Sequence, residues 1–362
     1  MDKGMNKKIK IALLGACHPH AAFHLRTCEL SEEIEEVLLW DPCKEAASKL
    51  AREMPLKVRE PSDDLATLLK RSDFEIVLIT LPNRDCPEVA LKALRAGKHV
   101  IMEKPGATHS EALQILIETA AEKNRLLGIY YPWRCHPVCA DIRRFIEVGY
   151  LGDIVAVEAR LLTSQTRFRD PDMWLFKKQT AGGGILSWLG CHWIDLFRFL
   201  LQDEVETVSA FAGNYSGDPV EVEEIATTHL RFQKGALATL HTAYILPISK
   251  SGYKEGIKDS YIAVYGSLGN VVWEQPMSGS NKISMESVHP EFRLKQKQEL
   301  NYHVPESDAY CGAFGLELLK AFIKAARTGK APPATGQDAM KDLQIIEAAY
   351  RSSESGKHIR LC

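Results

Sequence analysis

The stretch VIMEKP, residues 100–105, runs from three apolar side chains straight into a carboxylate, an ammonium and a proline. An apolar run of this kind is a buried strand. Two charges at its tip then call for a reason, because burying an unpaired ion costs several kcal/mol even after relaxation. Taken alone, Glu103 and Lys104 read most simply as an exposed pair on a loop. The flanks place the segment in a regular series. PEVALKALRAG (87–97) opens on a proline and closes on a glycine, the asymmetry of a helix. SEALQILIETAAEKN (110–124) is a second helix, opened by Ser110.

Outward from there the alternation continues. IKIALLG (9–15), EEVLLWD (35–41), EIVLITLPN (75–83), KHVIMEKP (98–105) and RLLGIYY (125–131) are short, continuous apolar runs, the pattern of strands buried on both faces. AAFHLRTCEL (21–30), EAASKLAREM (45–54) and SDDLATLLK (62–70) lie between them with helical composition, the last with Ser62 or Asp63 as its expected N-cap. Strands and helices at this spacing predict right-handed βαβ units and a doubly wound parallel sheet, a Rossmann arrangement.

The alternation stops near Tyr130. PVCADIRRFIEVG and ILSWLGCHWIDLFRFLL read as helices, and IVAVEARLLTS, ETVSAFAGNY, EIATTHLRF, ALATLHTAYI and SYIAVYGSLGNVVWE as alternating strands of a large, mostly antiparallel open sheet. Two helices close the chain. The expected domains are 1–130, doubly wound, and 131–362, α+β. Whether the last helix packs back on the first domain is left open by the sequence.

Composition bounds the function. The chain has 362 residues, 45% hydrophobic and 25% charged, and a net charge of −2 gives no electrostatic case for nucleic acid or an anionic membrane. No apolar run is long enough to span a bilayer. The charged N-terminus is no signal peptide, and nine cysteines without a CxxC read as reduced thiols of a cytoplasmic protein.

The loop after the first strand is GACHPH: Gly15, then Cys17, His18, Pro19 and His20. Only the first glycine of GxGxxG/A is kept, with Cys17 and His20 at the other two places. Asp41 ends the second strand, where a carboxylate accepts from a ribose 2′-OH and repels a 2′-phosphate. His18, His20 and His24 have a loose metal-like spacing, but no cysteine pair completes it and the segment already fits a phosphate loop, so no metal is expected.

With these residues in view, the chain resembles the Gfo/Idh/MocA oxidoreductases. GKHVIMEKP (97–105) matches the family's GKHVxxEKP signature, and TLPN (80–83), RCHP (134–137), GGGILSWLGCHWID (182–195) and the closing TGKAPPATGQDAMKDLQIIEAAYRSSESGKHIRL follow in family order. The resemblance implies that Thr80, Leu81, Pro82, Asn83, Glu103 and Lys104 join the Gly15–His20 loop and Asp41 in binding NAD rather than NADP. Lys104 would reach the reacting hydroxyl, and Pro105 would fix the turn after a Lys–Pro bond that is often cis in relatives. His192 would be the second catalytic residue. Relatives carry an acid four residues before it; here that residue is Trp188, whose indole exchanges no proton near neutral pH. Cys86 stands where many relatives have histidine. Tyr131, Arg134, Arg169, Trp174, Trp188 and His192 are the expected substrate contacts.

The implied activity is hydride transfer between NAD and a hydroxyl- or carbonyl-bearing carbon of a sugar or polyol. Two alternatives follow from the same resemblance: a redox-neutral, glycoside-cleaving enzyme that retains NAD, and a non-catalytic nucleotide-sensing regulator. The family also implies a homodimer or homotetramer.

Overall fold

The structure is a computed structural model describing residues 7–54, 57–59, 61–247 and 258–361. The readings above that concern residues 1–6 and Cys362 fall outside this set. The chain forms two units: Met1–Cys135 with Pro305–Met340, and His136–Val304 with Lys341–Cys362.

In the first unit, β1 (Ile9–Leu14), α1 (Ala21–Leu30), β2 (Ile34–Trp40), α2 (Lys44–Glu53), α3 (Leu65–Lys70), β3 (Ile76–Ile79), α4 (Cys86–Arg95), β4 (His99–Met102), α5 (Ser110–Glu122) and β5 (Leu127–Ile129) alternate as the sequence predicts. The five strands lie in the order β2-β1-β3-β4-β5, and every pair is parallel. The chain steps from β1 to β2 on one side, then returns to β3 on the other. That reversal opens a crevice beyond the carboxyl ends of β1 and β3, where open α/β sheets bind ligands. α3 begins one residue later than expected: Asp64 is the N-cap, its carboxylate accepting from the Thr67 amide at 3.0 Å, while Ser62 accepts from the Asp64 amide.

The second unit contains α6 (Pro137–Glu147), β6 (Ile154–Ser164), α7 (Lys178–Ala181), α8 (Cys191–Leu201), β7 (Val205–Gly213), β8 (Ile225–Phe232), β9 (Leu237–Leu246), β10 (Lys258–Gly266), β11 (Gly269–Glu274), β12 (Lys282–Ser287) and β13 (Lys297–Asn301). Two further helices, α9 (Gly312–Thr328) and α10 (Gly336–Ser355), precede the short β14 (Ile359–Arg360). The sheet order is β13-β12-β11-β10-β6-β9-β8-β7-β14. All pairs are antiparallel except β6 with β9, so β6 separates β9 from β10 rather than leaving them neighbours. Alternation along a strand identifies its buried face but not its neighbours. β12 and β13, KISMES and KQELN, carry a weak strand signal because they are short and charged, and β13 is the edge of the sheet.

The units of the structure are drawn differently from the expected domains 1–130 and 131–362. The first unit runs to Cys135 and takes back Pro305–Met340. The reason is cover for the parallel sheet: Leu318, Leu319, Phe322 and Ile323 of α9 share a core with Ile11, Leu13, Leu25 and Tyr130. Gly128 in β5 admits this helix, since a Cβ there would lie 2.6 Å from the Phe322 ring.

One buried histidine gives the second unit an acid-sensitive point. His136 caps α6, its Nδ1 accepting from the Val138 amide at 3.2 Å, and its ring lies 4.8 Å from Trp273. Burial pushes its pKa down to about 4. The unfolded chain binds a proton near pH ~6.5, the folded chain only near 4, so stability is intact above the first value and falls as pH drops toward the second. Thermal and denaturant melts at pH 7.5 and 5 are expected to show a loss of about 2 kcal/mol from this residue. His136→Asn keeps a cap acceptor and is expected to remove that part of the slope; an unchanged profile refutes the assignment.

Candidate active site

The carboxyl edge of the parallel sheet gathers most of the expected cofactor residues. Gly15 follows β1 with φ +112°, and a Cβ on it would lie 2.1 Å from the Thr80 carbonyl oxygen. Only glycine tolerates both conditions. Thr80 ties the two loops together, donating its hydroxyl to the Gly15 carbonyl at 2.6 Å. Asn83 and Leu81 are buried and Pro82 is half-buried beyond β3. Cys86, in place of the family histidine, donates its thiol to the Leu81 carbonyl at 3.2 Å, and burial pushes the thiol up to about 12. It is therefore a structural thiol.

Asp41 is buried, and both its oxygens are engaged. Oδ2 accepts from the Ala16 amide at 2.6 Å and Oδ1 from the Cys43 amide at 2.8 Å. The carboxylate thus fixes the loop after β1 before any ribose arrives, and each oxygen retains a second lone pair. Within that loop Cys17 is exposed, Pro19 is half-buried, and His18 and His20 are buried.

Glu103, at the tip of β4, is buried rather than exposed. Its Oε1 receives His20 Nδ1 at 3.0 Å and His24 Nε2 at 2.5 Å, while Oε2 accepts from the Lys104 amide at 3.1 Å. Burial opposes ionisation, but the interactions with His20 and His24 outweigh it and hold the acid well below the usual carboxylate range. Burial also lowers His20 to about 4 and His18 well below its usual value, so both rings are neutral at physiological pH. An ionised carboxylate only accepts, so each imidazole nitrogen facing Glu103 is the donor. His18 Nδ1 accepts from the His20 amide at 3.0 Å, which puts its own proton on Nε2. Tyr310 lies 4.5 Å from both the His20 and His24 rings, and Tyr130 meets His24 edge-on at 4.4 Å. Lys104 has no exposed surface, and the Lys104–Pro105 bond is cis.

Two expected substrate residues of this unit are placed by its interior. Tyr131 is fully buried after β5. Arg134 is engaged within the unit: its guanidinium donates to the Pro333 carbonyl at 3.0 Å and pairs with Asp338 at 3.1 Å, holding the segment between α9 and α10.

In the second unit, Gly182 closes α7 at φ +82°, and Gly183 and Gly184 are glycine for reasons of space. A Cβ on Gly183 would lie 2.0 Å from the Tyr350 hydroxyl, and one on Gly184 2.0 Å from the Glu223 carbonyl oxygen. Glu223 organises the turn: Oε2 accepts from the Gly184 amide at 2.6 Å, and Oε1 from the Leu186 amide at 3.0 Å and the Tyr350 hydroxyl at 2.9 Å. A π-helical turn, Leu186–Gly190, follows and runs directly into α8. His192 lies in the first turn of α8 and Trp188 within the π turn, so the four-residue spacing between them is not that of a plain α-helix face. Trp188 instead packs T-shaped against Trp174, with centroids 5.7 Å apart, and the Arg169 guanidinium sits 5.2 Å from the Tyr244 ring centre. The expected substrate contacts Trp174 and Trp188 thus form one packed pair. Lys104 belongs to the first unit and His192 to the second.

Sequence reasoning passed over Glu223, Tyr350 and Tyr310, and considered His24 only as a metal ligand. Two signals were present: His20 and His24 stand at i and i+4 on one helix face, and a three-glycine run demands close neighbours.

Comparison with known proteins places this fold. Residues 9–131 match the model of an oxidoreductase family's NAD-binding Rossmann fold, and residues 143–361 match that family's C-terminal alpha/beta domain. Scyllo-inositol 2-dehydrogenase (NADP(+)) of Bacillus subtilis is 27% identical over 99% of this chain and 98% of its own length. The NAD(+) scyllo-inositol 2-dehydrogenase of that organism is 27% identical over 90% and 88%. D-glucoside 3-dehydrogenase of Escherichia coli is 26% identical over 98% and 97%. Among solved structures, levoglucosan dehydrogenase in complex with NADH and levoglucosan superposes with a TM-score of 0.84 at 20% identity, over 98% of this chain and 99% of that one, a likeness of fold.

The steric reading of Gly15 is open to measurement. Gly15→Ala forces a side chain toward the Thr80 carbonyl at a positive φ and is expected to destabilise the first unit by about 3 kcal/mol or more in denaturant melts. A loss below ~0.5 kcal/mol, the ordinary surface range, overturns it.

Proposed function

The chain belongs to the Gfo/Idh/MocA oxidoreductase family, and on that footing we propose that it transfers a hydride between NAD and a hydroxyl- or carbonyl-bearing carbon of a sugar, polyol or related small molecule. The observation that carries the reading is Lys104, a fully buried amine at the carboxyl end of β4, its backbone held by a buried, ionised Glu103. A lysine side chain taken out of water at the ligand edge of a parallel sheet is costly to place there, which supports a role for it in the site. The dehydrogenases named above act on inositols and glucosides, which supports the substrate class.

The residues present fit a dinucleotide. Gly15 gives the loop its backbone path, Thr80 fixes that loop, and Asp41 sets a negative charge where a ribose 2′-OH is welcome and a 2′-phosphate is not. Asp41 supports NAD over NADP, a choice on which the two inositol dehydrogenases differ from each other. His18, Pro19, His20, Leu81, Pro82, Asn83 and Glu103 complete the proposed cofactor lining, with Cys17 exposed beside it. When bound, NAD accepts or returns the hydride.

Lys104 is assigned the proton transfer: its amine takes the proton of the substrate hydroxyl on oxidation and returns one on reduction. His192 is assigned the second proton-transfer role. Arg169, Trp174, Trp188 and Tyr131 are assigned to the substrate, with the Trp174–Trp188 pair offering the apolar surface that sugar C–H faces stack on.

That same pair favours a second reading. Because Trp188 replaces the acid, a redox-neutral cycle that oxidises, eliminates and re-reduces a glycoside stands beside simple dehydrogenation. Release of an aglycone without accumulation of NADH selects it.

The test is a panel of inositols, sugars and glycosides with NAD or NADP, followed at the NADH absorbance and by product mass. Lys104→Ala is expected to lower kcat by about 10²–10⁴ with NADH affinity nearly intact; full turnover removes Lys104 from the chemistry. Asp41→Ala is expected to narrow the preference for NAD in kcat/KM, and an unchanged ratio shows that the carboxylate serves the loop alone.

A further inference from the structure

We propose that His24 is a positioning residue for Lys104, acting through Glu103. His24 touches neither the substrate nor the cofactor in the reading above; it belongs to α1 and is fully buried. Its Nε2 donates to Glu103 Oε1, the oxygen that also receives His20 Nδ1, and the opposite oxygen accepts the Lys104 amide. The Glu103 amide in turn donates to the Ile79 carbonyl at 2.9 Å, fixing the other end of the residue to β3. Glu103 is therefore held through three of its own groups, and the one side chain it borrows from α1 is His24. A carboxylate in this setting without those donors would be an uncompensated buried charge. It would protonate or turn away, and the backbone of Lys104 would move with it.

The arrangement also accounts for an anomaly of the loop. The third fingerprint position, normally small so that helix and strand approach closely, is His20, and His20 is the second donor to Glu103. The loop after β1 and the tip of β4 are one hydrogen-bonded body. The same cluster offers ligand atoms of His18, His20 and Glu103 within 4.8 Å of one another. Imidazole donors at hydrogen-bond distance already satisfy Glu103 Oε1, so no ion is needed to explain the cluster, and a bound metal is a result that the test excludes or finds.

The inference rests on Lys104 as the acid/base. It is tested by where each replacement puts a donor. Glutamine sets its amide nitrogen near the place of an imidazole Nε2, and asparagine near that of Nδ1. His24→Gln is therefore expected to stay within about threefold of wild type in kcat, and His24→Asn and His24→Leu to fall by up to about 100-fold with little change in KM. A general packing role would not separate Gln from Asn. In the wild-type proton NMR spectrum a signal downfield of the amide envelope is expected for the His24 Nε2–H, absent from all three variants and from Glu103→Gln.

Equal activity of His24→Gln and His24→Asn overturns the proposal, as does stoichiometric metal in the purified wild-type protein that is lost in His24→Asn. If the wild type binds NADH but turns over none of the panel, the downfield signal decides: its absence from the wild type, or its survival in His24→Leu, overturns the proposal. A wild type that neither binds NADH nor turns over defeats the proposed function instead, and the downfield signal still reports whether His24 holds Glu103.

Discussion

A buried carboxylate at the tip of β4 is the constraint around which the first unit is arranged. Glu103 is ionised where water cannot reach it, and every donor that makes this tolerable comes from a neighbouring segment: His20 from the loop after β1, His24 from α1, the amide of Lys104 from the next residue. The aromatic rings of Tyr130 and Tyr310 close over the two imidazoles and keep the cluster dry. Low polarity strengthens each of these hydrogen bonds and makes the loss of any one more costly. The loop that departs from the dinucleotide fingerprint and the strand tip that matches the family motif are parts of one device.

The second unit uses the same physics with backbone donors. Glu223 is half-buried, desolvation of its carboxyl raises its pKa, and it accepts from the amides of Gly184 and Leu186 and from the Tyr350 hydroxyl. These bonds set the entry to the π turn and hence the start of the helix that carries His192. In each unit a carboxylate fixes backbone on the approach to a residue proposed for proton transfer, Glu103 at Lys104 and Glu223 at the turn that leads to His192. Such fixing is what keeps a reacting group within the fraction of an ångström that catalysis demands.

Much of this was legible in the residues. Continuous apolar runs separated by helices imply a parallel sheet buried on both faces, and EKP at the end of such a run implies the ligand edge. Gly15 and Asp41 were found by position alone. Other features were hidden for physical reasons. The cover that α9 provides for the parallel sheet depends on a contact nearly two hundred residues away in the chain, between Gly128 and Phe322. The placement of β6 beside β9 follows from sheet assembly, not from alternation along either strand. The bonds of Arg134 to Asp338 and Pro333 were not foreseeable, because a motif records residue type and spacing but not the partner. Trp188 looked like a helical neighbour of His192 until the π turn altered the geometry between them.

The return of Pro305–Met340 to the first unit bears on how the protein is made. When the ribosome has released β5, the nascent parallel sheet still lacks the helix that shields it, and Gly128 faces an empty place where Phe322 belongs. His136–Val304 must be synthesised before that helix emerges, a wait on the order of 10–30 s. Through that interval the apolar face of the early sheet has no native cover, a natural substrate for a chaperone, and a chain terminated before α9 never gains it.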